Sequence, residues 1–156
     1  MTDAPLRPGE LEAMHAALAE ARAAGHAGDV PVGAVLLLDG VVRATARNRM
    51  RADGDATSHA ELLVLREGAA TIGVEALRDA TLVVTLEPCA MCAGAIVLAR
   101  VRRLVFGAWD DKAGMCGSVG DVVRHPRLNH RAEVRGGVQA EESAALLREF
   151  FVSRRD

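Results

Sequence analysis

The sequence has little cysteine, no long apolar run and no excess of positive charge, and each absence excludes a class of protein. Three cysteines are an odd number, so a framework of disulfides would leave one thiol unpaired. No apolar run approaches the roughly 20 residues of a membrane span, and the opening MTDAPLRPGE lacks the basic start and apolar stretch of a secretory signal. A net charge of −2 argues against indiscriminate binding of nucleic acid, although it allows a local basic face. We therefore expect a cytoplasmic protein with free thiols and no membrane segment.

What the sequence does contain fits one domain of alternating strands and helices. Half of the 156 residues are hydrophobic, so residues 1–156 can bury a single core. Apolar periodicity and turn residues predict helices at 11–24, 59–70, 89–100 and 140–155, and strands at 30–38, 41–48, 80–86, 101–109 and 132–138. Such alternation implies a mixed or largely parallel sheet covered by helices on both faces. The Gly-rich stretch 110–131 is a predicted long loop, of a length that is usually functional or disordered.

The motif LEPCAMC at residues 86–92 holds two of the three cysteines. Pro88 stands at the mouth of a predicted helix, where its missing N–H is harmless, so Cys89 and Cys92 share one face of the first turn. The helix N-terminus lowers the pKa of a thiol there, which favours the thiolate form that binds metals. A redox pair uses the same spacing, so this motif alone leaves a metal site and a redox site open.

The motif SHAE, which contains His59 and Glu61, favours the metal site. It also opens a predicted helix after a loop, and it could face the cysteines across adjacent helix ends. His59, Cys89 and Cys92 would give zinc three protein ligands and leave the fourth tetrahedral position for water, which is the arrangement of a catalytic site. Cys116 lies in the Gly-rich loop without ligand-like spacing, and we interpret it as an ordinary free thiol.

Glu61 also has a purely structural interpretation. Ser58 and Glu61 fit a capping box, in which the glutamate bonds back to the backbone N–H of the cap residue. The joint pattern favours chemistry instead, because His-x-Glu followed by Pro-Cys-x-x-Cys, each at a predicted helix start, is typical of zinc deaminases that act on nucleobases. In hydrolytic deamination zinc would lower the pKa of a water towards ~7, and Glu61, which does not bind the metal, would move the protons.

The chain resembles the bacterial tRNA-specific adenosine deaminases, a family of the cytidine deaminase superfamily, from about Leu11 to Arg155. The resemblance rests on VPVGAV, RN, HAE, TLEPCAMCAGA, FGAWD with Lys112, GSVGDV, HPRLNHR and LLREFF. HAE with PCAMC indicates the superfamily, whereas FGAWDDKAG and HPRLNHR are more specific to the tRNA branch.

This resemblance implies a fold and an activity. The implied fold is the three-layer α/β/α cytidine deaminase-like fold, with a central mixed sheet of about five strands covered by helices on both faces. The implied activity is the conversion of the wobble adenosine of a tRNA anticodon to inosine, with one zinc ion per chain. The resemblance also implies a homodimer, with the active-site entrance near the subunit boundary.

Individual residues receive roles from the same resemblance. Asn48 would bond the five-membered ring of the purine, the backbone N–H of Ala60 would contact the oxygen formed at the reacting carbon, and Glu61 would face the ring nitrogen. The remaining substrate contacts would come from Val30, Leu86 and Ala108, which line the base pocket, and from Asp110 and Lys112, which contact the flanking nucleotides. Structural alternatives stay open: the asparagine could cap a turn, the valine and leucine could belong to the core, and the loop pair could be solvated.

Two segments need separate interpretation. The family usually reads DPTAHAE before the helix, whereas this chain reads DATSHAE, which lacks the proline and could loosen the loop but keeps His59 and Glu61. The segment HPRLNHR keeps the family's His125 and His130, which we interpret as loop-stabilising or RNA-contacting residues rather than zinc ligands.

Two rival functions stay open. A related deaminase with the same zinc core could act on a free base such as guanine or cytosine, although Arg148, Arg154 and Arg155 on the last helix favour RNA through phosphate contacts. A non-catalytic zinc module that binds RNA or protein would have no need of a non-ligating glutamate two residues after the histidine. Glu61 therefore distinguishes an enzyme from such a module.

Overall fold

The computed structural model describes residues 4–154, so Arg155, in the predicted last helix, and residues 1–3 lie outside the description. Within this range the helices are α1 (Glu10–His26), α2 (Met50–Asp53), α3 (Ala60–Ile72), α4 (Ala90–Ala99) and α5 (Ala140–Ser153), with a 3₁₀ helix at Glu75–Asp79. The strands are β1 (Gly33–Leu38), β2 (Val41–Arg47), β3 (Thr81–Leu86), β4 (Arg103–Ala108) and β5 (Glu133–Arg135). None of the described helices combines the length and the apolar character that a membrane span requires.

The described strands form one mixed sheet in the order β2-β1-β3-β4-β5. β1 is antiparallel to both of its neighbours, whereas β3, β4 and β5 run parallel. Asp39 and Gly40 join β1 to β2 with φ angles of 54° and 75°, the left-handed backbone that a tight hairpin between twisted strands requires. The prediction of a mixed sheet is confirmed.

Helices cover both faces of this sheet. On one face α1 packs with α5 beside it, and Met14 and Leu18 meet Val35, Val83 and Val105. On the other face α3 and α4 pack against the alternate residues of the same strands. These contacts include Val64 and Ile96 on the helices and Leu36, Leu82 and Leu104 on the strands. Because successive strand residues point to opposite faces, strands covered on both sides are continuous apolar runs. The predicted three-layer α/β/α architecture is confirmed.

The carboxyl ends of the parallel strands β3 and β4 lie side by side, with Leu86 paired to Ala108 in the register. Only Glu87, Pro88 and Cys89 separate the end of β3 from the start of α4. In open α/β sheets ligands bind outside the carboxyl ends of the strands. The short connection therefore places the first turn of α4 at the edge where a ligand is expected.

The first strand starts later than predicted and the fifth ends earlier. Pro31 has no N–H to give to a neighbouring strand, and the N–H of Val32 turns back to the carbonyl of Val30, so β1 begins only at Gly33. Gly137 takes a φ of 80°, a left-handed conformation that lets the chain turn away after β5.

The connection between β2 and α3 contains the single-turn helix α2, which the sequence pattern does not predict. The carboxylate of Asp29 accepts the backbone N–H groups of Arg51 and Ala52 at 2.6 and 3.2 Å, so it supplies the cap that this turn needs. Because the capping residue lies before β1, no local pattern in the loop predicts the helix.

A buried ion pair ties the start of α1 to β4. The guanidinium of Arg103 donates to both carboxylate oxygens of Glu10, at 2.6 and 2.9 Å, and both side chains are almost fully buried. Arg103 also donates to the carbonyl of Pro5 at 2.8 Å, and Glu10 accepts the backbone N–H of Arg7 at 2.8 Å. These additional bonds satisfy the charged groups that folding removes from water.

Removing one partner of this pair should leave an uncompensated buried charge. We expect Glu10→Ala to lower the free energy of unfolding by about 3–5 kcal/mol, measured by urea denaturation. The matched control is Glu142→Ala, which breaks an exposed pair with Arg22 and should cost less than about 1 kcal/mol. Equally small losses in the two variants would contradict this account of the buried pair.

Candidate active site

Three metal-ligating side chains meet at the N-termini of two helices. His59 and Cys89 are the N-cap residues of α3 and α4, both with extended backbone, and neither makes a side-chain cap bond. Cys92 lies in the first turn of α4. Nδ1 of His59 is 3.6 Å from Sγ of Cys89 and 3.5 Å from Sγ of Cys92. The structure therefore brings together the three residues that the two motifs predict as ligands.

The spacing of these ligand atoms fits a tetrahedral ion. Zinc bonds of about 2.1 Å to nitrogen and about 2.3 Å to sulfur place the two ligand atoms about 3.6 Å apart. This separation matches the two observed distances of 3.6 and 3.5 Å. All three ligand atoms lie within 4.8 Å of one another, and among the described residues Cys116 is not part of the group. The group can hold a metal ion.

The protonation of the three side chains suits metal binding. Hydrogen bonds from Cys92 and from His59 lower the pKa of Cys89 to about 3. The same bond to Cys89, together with burial, raises the pKa of Cys92, so the cysteine pair readily gives up one proton and keeps the other. The hydrogen bond to Cys89 also raises the pKa of His59. A bound cation would favour the deprotonated form of all three groups.

Glu61 lies inside the protein, with only 4% of its surface exposed. Burial raises the pKa of its carboxyl group to about 6, against a smaller opposing effect of nearby hydrogen bonds and of the His59 charge. A carboxyl group that titrates near neutral pH can both accept and release a proton during a reaction. The capping-box alternative is wrong, because α3 begins at Ala60 with His59 as its N-cap, which leaves Ser58 before the cap position.

A cavity beside the ligands gathers most of the predicted substrate residues. Its wall contains His59, Glu61 and Cys89 together with Val30, Asn48, Ala60, Leu86 and Asp110. Ala108 and Lys112 line an adjoining groove instead. The cavity and the groove share Val30, Leu86 and Asp110, so the two spaces lie side by side.

The groove runs between the loop that carries Lys112 and the last helix. α5 contributes Arg148, Phe151 and Arg154 to it. Trp109 and Phe151 are 45% and 48% exposed. Cationic side chains beside exposed aromatic rings are the combination that binds single-stranded nucleic acid. Arg155 lies outside the described residues, so the structure does not place it.

Two of the predicted substrate residues also hold their own backbone. The amide of Asn48 donates to the carbonyl of Val30 at 3.1 Å and accepts the N–H of Met50 at 3.1 Å. The carboxylate of Asp110 accepts the N–H groups of Lys112 and Ala113 at 3.1 and 3.2 Å. The asparagine therefore holds a turn, as its structural alternative states, and the aspartate orders the start of its own loop, while both residues line the cavity as well.

Sequence reasoning missed Glu87, which is 2% exposed and lines the cavity. Its carboxylate accepts backbone N–H groups from Asp110 and Cys116 at 2.9 and 3.1 Å. The available signal was a carboxylate directly after the buried strand TLVVTL, a position where a charge needs partners. Met50 and Val32, which also line the cavity, carried no signal beyond their apolar character.

The remaining singled-out residues lie outside the ligand group. Cys116 is fully buried and its thiol donates to the carbonyl of Pro88 at 3.8 Å, and burial raises its pKa. Nδ1 of His125 accepts the N–H of Arg127 at 3.1 Å, and Nε2 of His130 lies 2.7 Å from the carbonyl of Val101. The two histidines thus make contacts that hold the loop before β5.

Comparisons with known proteins agree with this geometry. The sequence profile of the MafB19-like deaminase family matches residues 9–155. The tRNA-specific adenosine deaminase of Bacillus subtilis (strain 168) is 46% identical over 138 residues, which cover 88% of this chain and 86% of that protein. The tRNA-specific adenosine deaminase of Agrobacterium fabrum (strain C58) is 48% identical over 142 residues, which cover 91% of this chain and 93% of that protein.

A solved structure of a deaminase also matches this chain. It comes from biochemical and structural studies of A-to-I editing by tRNA:A34 deaminases at the wobble position of transfer RNA. It superposes with a TM-score of 0.83 at 47% identity, and the match covers 87% of this chain and 99% of that chain.

The mixed sheet, its two helical layers and the His-Cys-Cys group beside a buried glutamate define a deaminase of the cytidine deaminase-like fold. Within that class the chain belongs to the MafB19-like deaminases and, among them, to the tRNA-specific adenosine deaminases. The family that the motifs indicate is confirmed.

Cys89 and Cys116 should differ in their reactivity toward iodoacetamide at about pH 6, below the usual thiol pKa of about 8.5. After treatment with a chelator, the half-buried thiolate of Cys89 should be alkylated, and added zinc should protect it. Cys116 should react only after unfolding, because it is buried and protonated. Peptide mass mapping distinguishes the sites. Equal alkylation of Cys89 and Cys116 in the folded protein, or no protection by zinc, would contradict the arrangement.

Proposed function

We propose that this protein is a zinc-dependent enzyme that converts adenosine to inosine at the wobble position of a tRNA anticodon. The observation that carries the proposal is one cavity in which the buried Glu61 stands beside the His59, Cys89 and Cys92 group. The tRNA-specific adenosine deaminases to which the chain belongs support the choice of substrate.

His59, Cys89 and Cys92 would hold the zinc ion. One imidazole and two thiolates favour zinc over magnesium or calcium, which prefer oxygen ligands. When bound, the ion would supply a water of lowered pKa as the nucleophile.

Glu61 would carry the protons of the reaction. Its carboxylate would accept one proton from the attacking water and give it to the ring nitrogen beside the reacting carbon. It would then accept the second proton from the hydroxyl group formed on that carbon and give it to the amine, which departs as ammonia. A pKa of about 6 allows the group to work in both directions near neutral pH. The backbone N–H of Ala60, at the positive end of α3, would stabilise negative charge on the oxygen formed at the reacting carbon.

The base would lie between apolar walls and a fixed amide. Val30 and Leu86 line the cavity and would contact the faces of the ring. An amide group has two N–H hydrogens and two acceptor lone pairs, so the two backbone bonds of Asn48 leave capacity for the five-membered ring of a purine. Because the backbone bonds fix the amide, it would meet the base already oriented.

The groove would hold the nucleotides that flank the target base. A base stacked in an anticodon loop must be splayed out before it can enter the cavity, at a cost of a few kcal/mol that neighbouring contacts offset. Asp110 and Lys112 lie on one side of the groove and Arg148 and Arg154 on the other. Ala108 would line the passage where the groove meets the base pocket.

We also propose that the enzyme is a homodimer that acts in the cytoplasm. The side of α4 turned away from the core carries the small or apolar residues Met91, Gly94 and Leu98. Leu98 is 86% exposed in the single chain. A second copy packed on this helix would cover that stripe and would bring the subunit boundary close to the ligands at the start of the same helix. The free thiols suit a reducing compartment.

Replacing Glu61 by glutamine should remove turnover and keep the fold and the metal. We expect Glu61→Gln to bind one zinc ion per chain and to lose at least about 10²–10⁴-fold in kcat, because the isosteric amide cannot shuttle protons. Elemental analysis and a single-turnover assay measure the two quantities. The matched control is Glu67→Gln on the exposed face of α3, which should retain full activity. Substantial turnover by Glu61→Gln would overturn the mechanism.

The substrate is tested with a stem-loop whose anticodon begins with adenosine. Free guanine and free cytosine are assayed in parallel. We expect inosine in the stem-loop, detected after nuclease digestion by mass spectrometry, and a rate that falls as salt rises, since phosphate contacts release counterions. Lys112→Ala should raise KM for the stem-loop, whereas Arg78→Ala, on the exposed 3₁₀ helix, should not. Turnover of a free base with none on any such stem-loop would favour the rival function.

A further inference from the structure

The carboxylate of Glu87 is surrounded by donors from one loop. Oε1 accepts the N–H of Asp110 at 2.9 Å and the hydroxyl of Ser118. Oε2 accepts the N–H groups of Cys116 and Ser118 at 3.1 and 3.0 Å. A single buried side chain therefore fixes both ends of the segment 110–118, which carries Asp110 and Lys112.

The turn after Glu87 holds the same segment through its backbone. The carbonyl of Pro88 accepts the N–H of Met115 at 2.9 Å. Gly114 packs so closely on the carboxylate that an added Cβ would lie 2.3 and 2.4 Å from Cδ and Oε1 of Glu87. Pro88 is followed directly by the ligand Cys89. The metal-ligand turn and the segment 110–118 therefore form one packed unit.

We propose that Glu87 is a positioning residue: its carboxylate holds the segment 110–118 in the conformation that presents Asp110 and Lys112 to the nucleotides beside the target base. The presentation to nucleotides rests on the proposed function. The claim that Glu87 holds the segment does not rest on that function, and cleavage at Lys112 tests it separately.

All of these donors are satisfied only when both ends of the side chain are hydrogen-bond acceptors, as in a carboxylate. In Glu87→Gln, the amide oxygen can keep the two N–H groups of Cys116 and Ser118, while the amide NH₂ turns toward the Ser118 hydroxyl, which can accept it. The N–H of Asp110 then faces a donor and loses its partner. Glutamine at this position thus releases mainly the Asp110 end, whereas Glu87→Ala releases both ends.

Lys112 makes this release measurable, because it is the only lysine in the chain. A lysine-specific endoproteinase can cut the untagged, zinc-loaded protein at one peptide bond, between Lys112 and Ala113, within the held segment. Cleavage of a closed segment follows the population of its open form. We expect Glu87→Gln to be cut about tenfold faster than the wild type, since a buried N–H loses its partner. Glu12→Gln, on the exposed face of α1, should be cut at the wild-type rate.

Gly114→Ala gives a second variant that leaves Glu87 in place. Its Cβ would displace the carboxylate or the segment, so cleavage at Lys112 should again accelerate about tenfold. Zinc content and the thermal unfolding midpoint of each variant identify any that fail to fold, and the other then decides the result. Wild-type cleavage rates in a folded Glu87→Gln or Gly114→Ala protein would overturn the proposal.

Kinetics on the anticodon stem-loop test the presentation to nucleotides. Glu87→Gln should raise KM about tenfold and change kcat by less than about twofold, because the zinc ligands and Glu61 stay in place while the flanking contacts loosen. Faster cleavage with an unchanged KM would overturn the positioning role. If the wild type is inactive on every stem-loop, the proposed function fails, and the cleavage rates still decide whether Glu87 holds the segment.

Discussion

The meeting of two helix N-termini at one edge of the sheet is the constraint on which the site depends. N-cap positions usually carry Ser, Thr, Asp or Asn, whose side chains bond the free N–H groups of the first turn and stabilise a helix by about 1 kcal/mol. α3 and α4 place His59 and Cys89 there, and neither side chain caps its helix. Both helices therefore lack that stabilisation. In its place, the two side chains point toward each other, with Nδ1 of His59 3.6 Å from Sγ of Cys89. The positive helix ends in turn favour the thiolates.

The walls around this group are held by the same residues that face the cavity. Asn48 and Asp110 each fix a neighbouring backbone turn. Glu87 ties the carboxyl end of β3 to the segment 110–118. The structural role of such a side chain therefore does not exclude the proposed binding role, although the sequence presents the two as alternatives. Side chains whose own orientation is locked by hydrogen bonds give a site its precision. The chain's own hydrogen bonds thus fix the walls of the cavity.

The parts that were predictable from sequence depend on short separations. Cys89 and Cys92 are one helical turn apart, His59 and Glu61 are two residues apart, and apolar runs mark the strands. The parts that were missed depend on partners far away in the chain. Asp29 caps a helix 22 residues later, and Glu87 holds Asp110 at a separation of 23 residues. No periodicity links such residues, so only the folded topology pairs them.

The ion pair between Glu10 and Arg103 has a consequence for the order in which the chain can fold. Its partners are 93 residues apart. At a synthesis rate of about 5–20 residues per second, α1 would leave the ribosome roughly 5–20 s before Arg103 is available. During that interval Glu10 at the start of α1 has no counter-charge, although β1 and β2, against which the helix packs, follow it directly in the chain. The N-terminal end of α1 is therefore secured only after β4 is available, and contacts of this sequence separation are characteristic of slow folding.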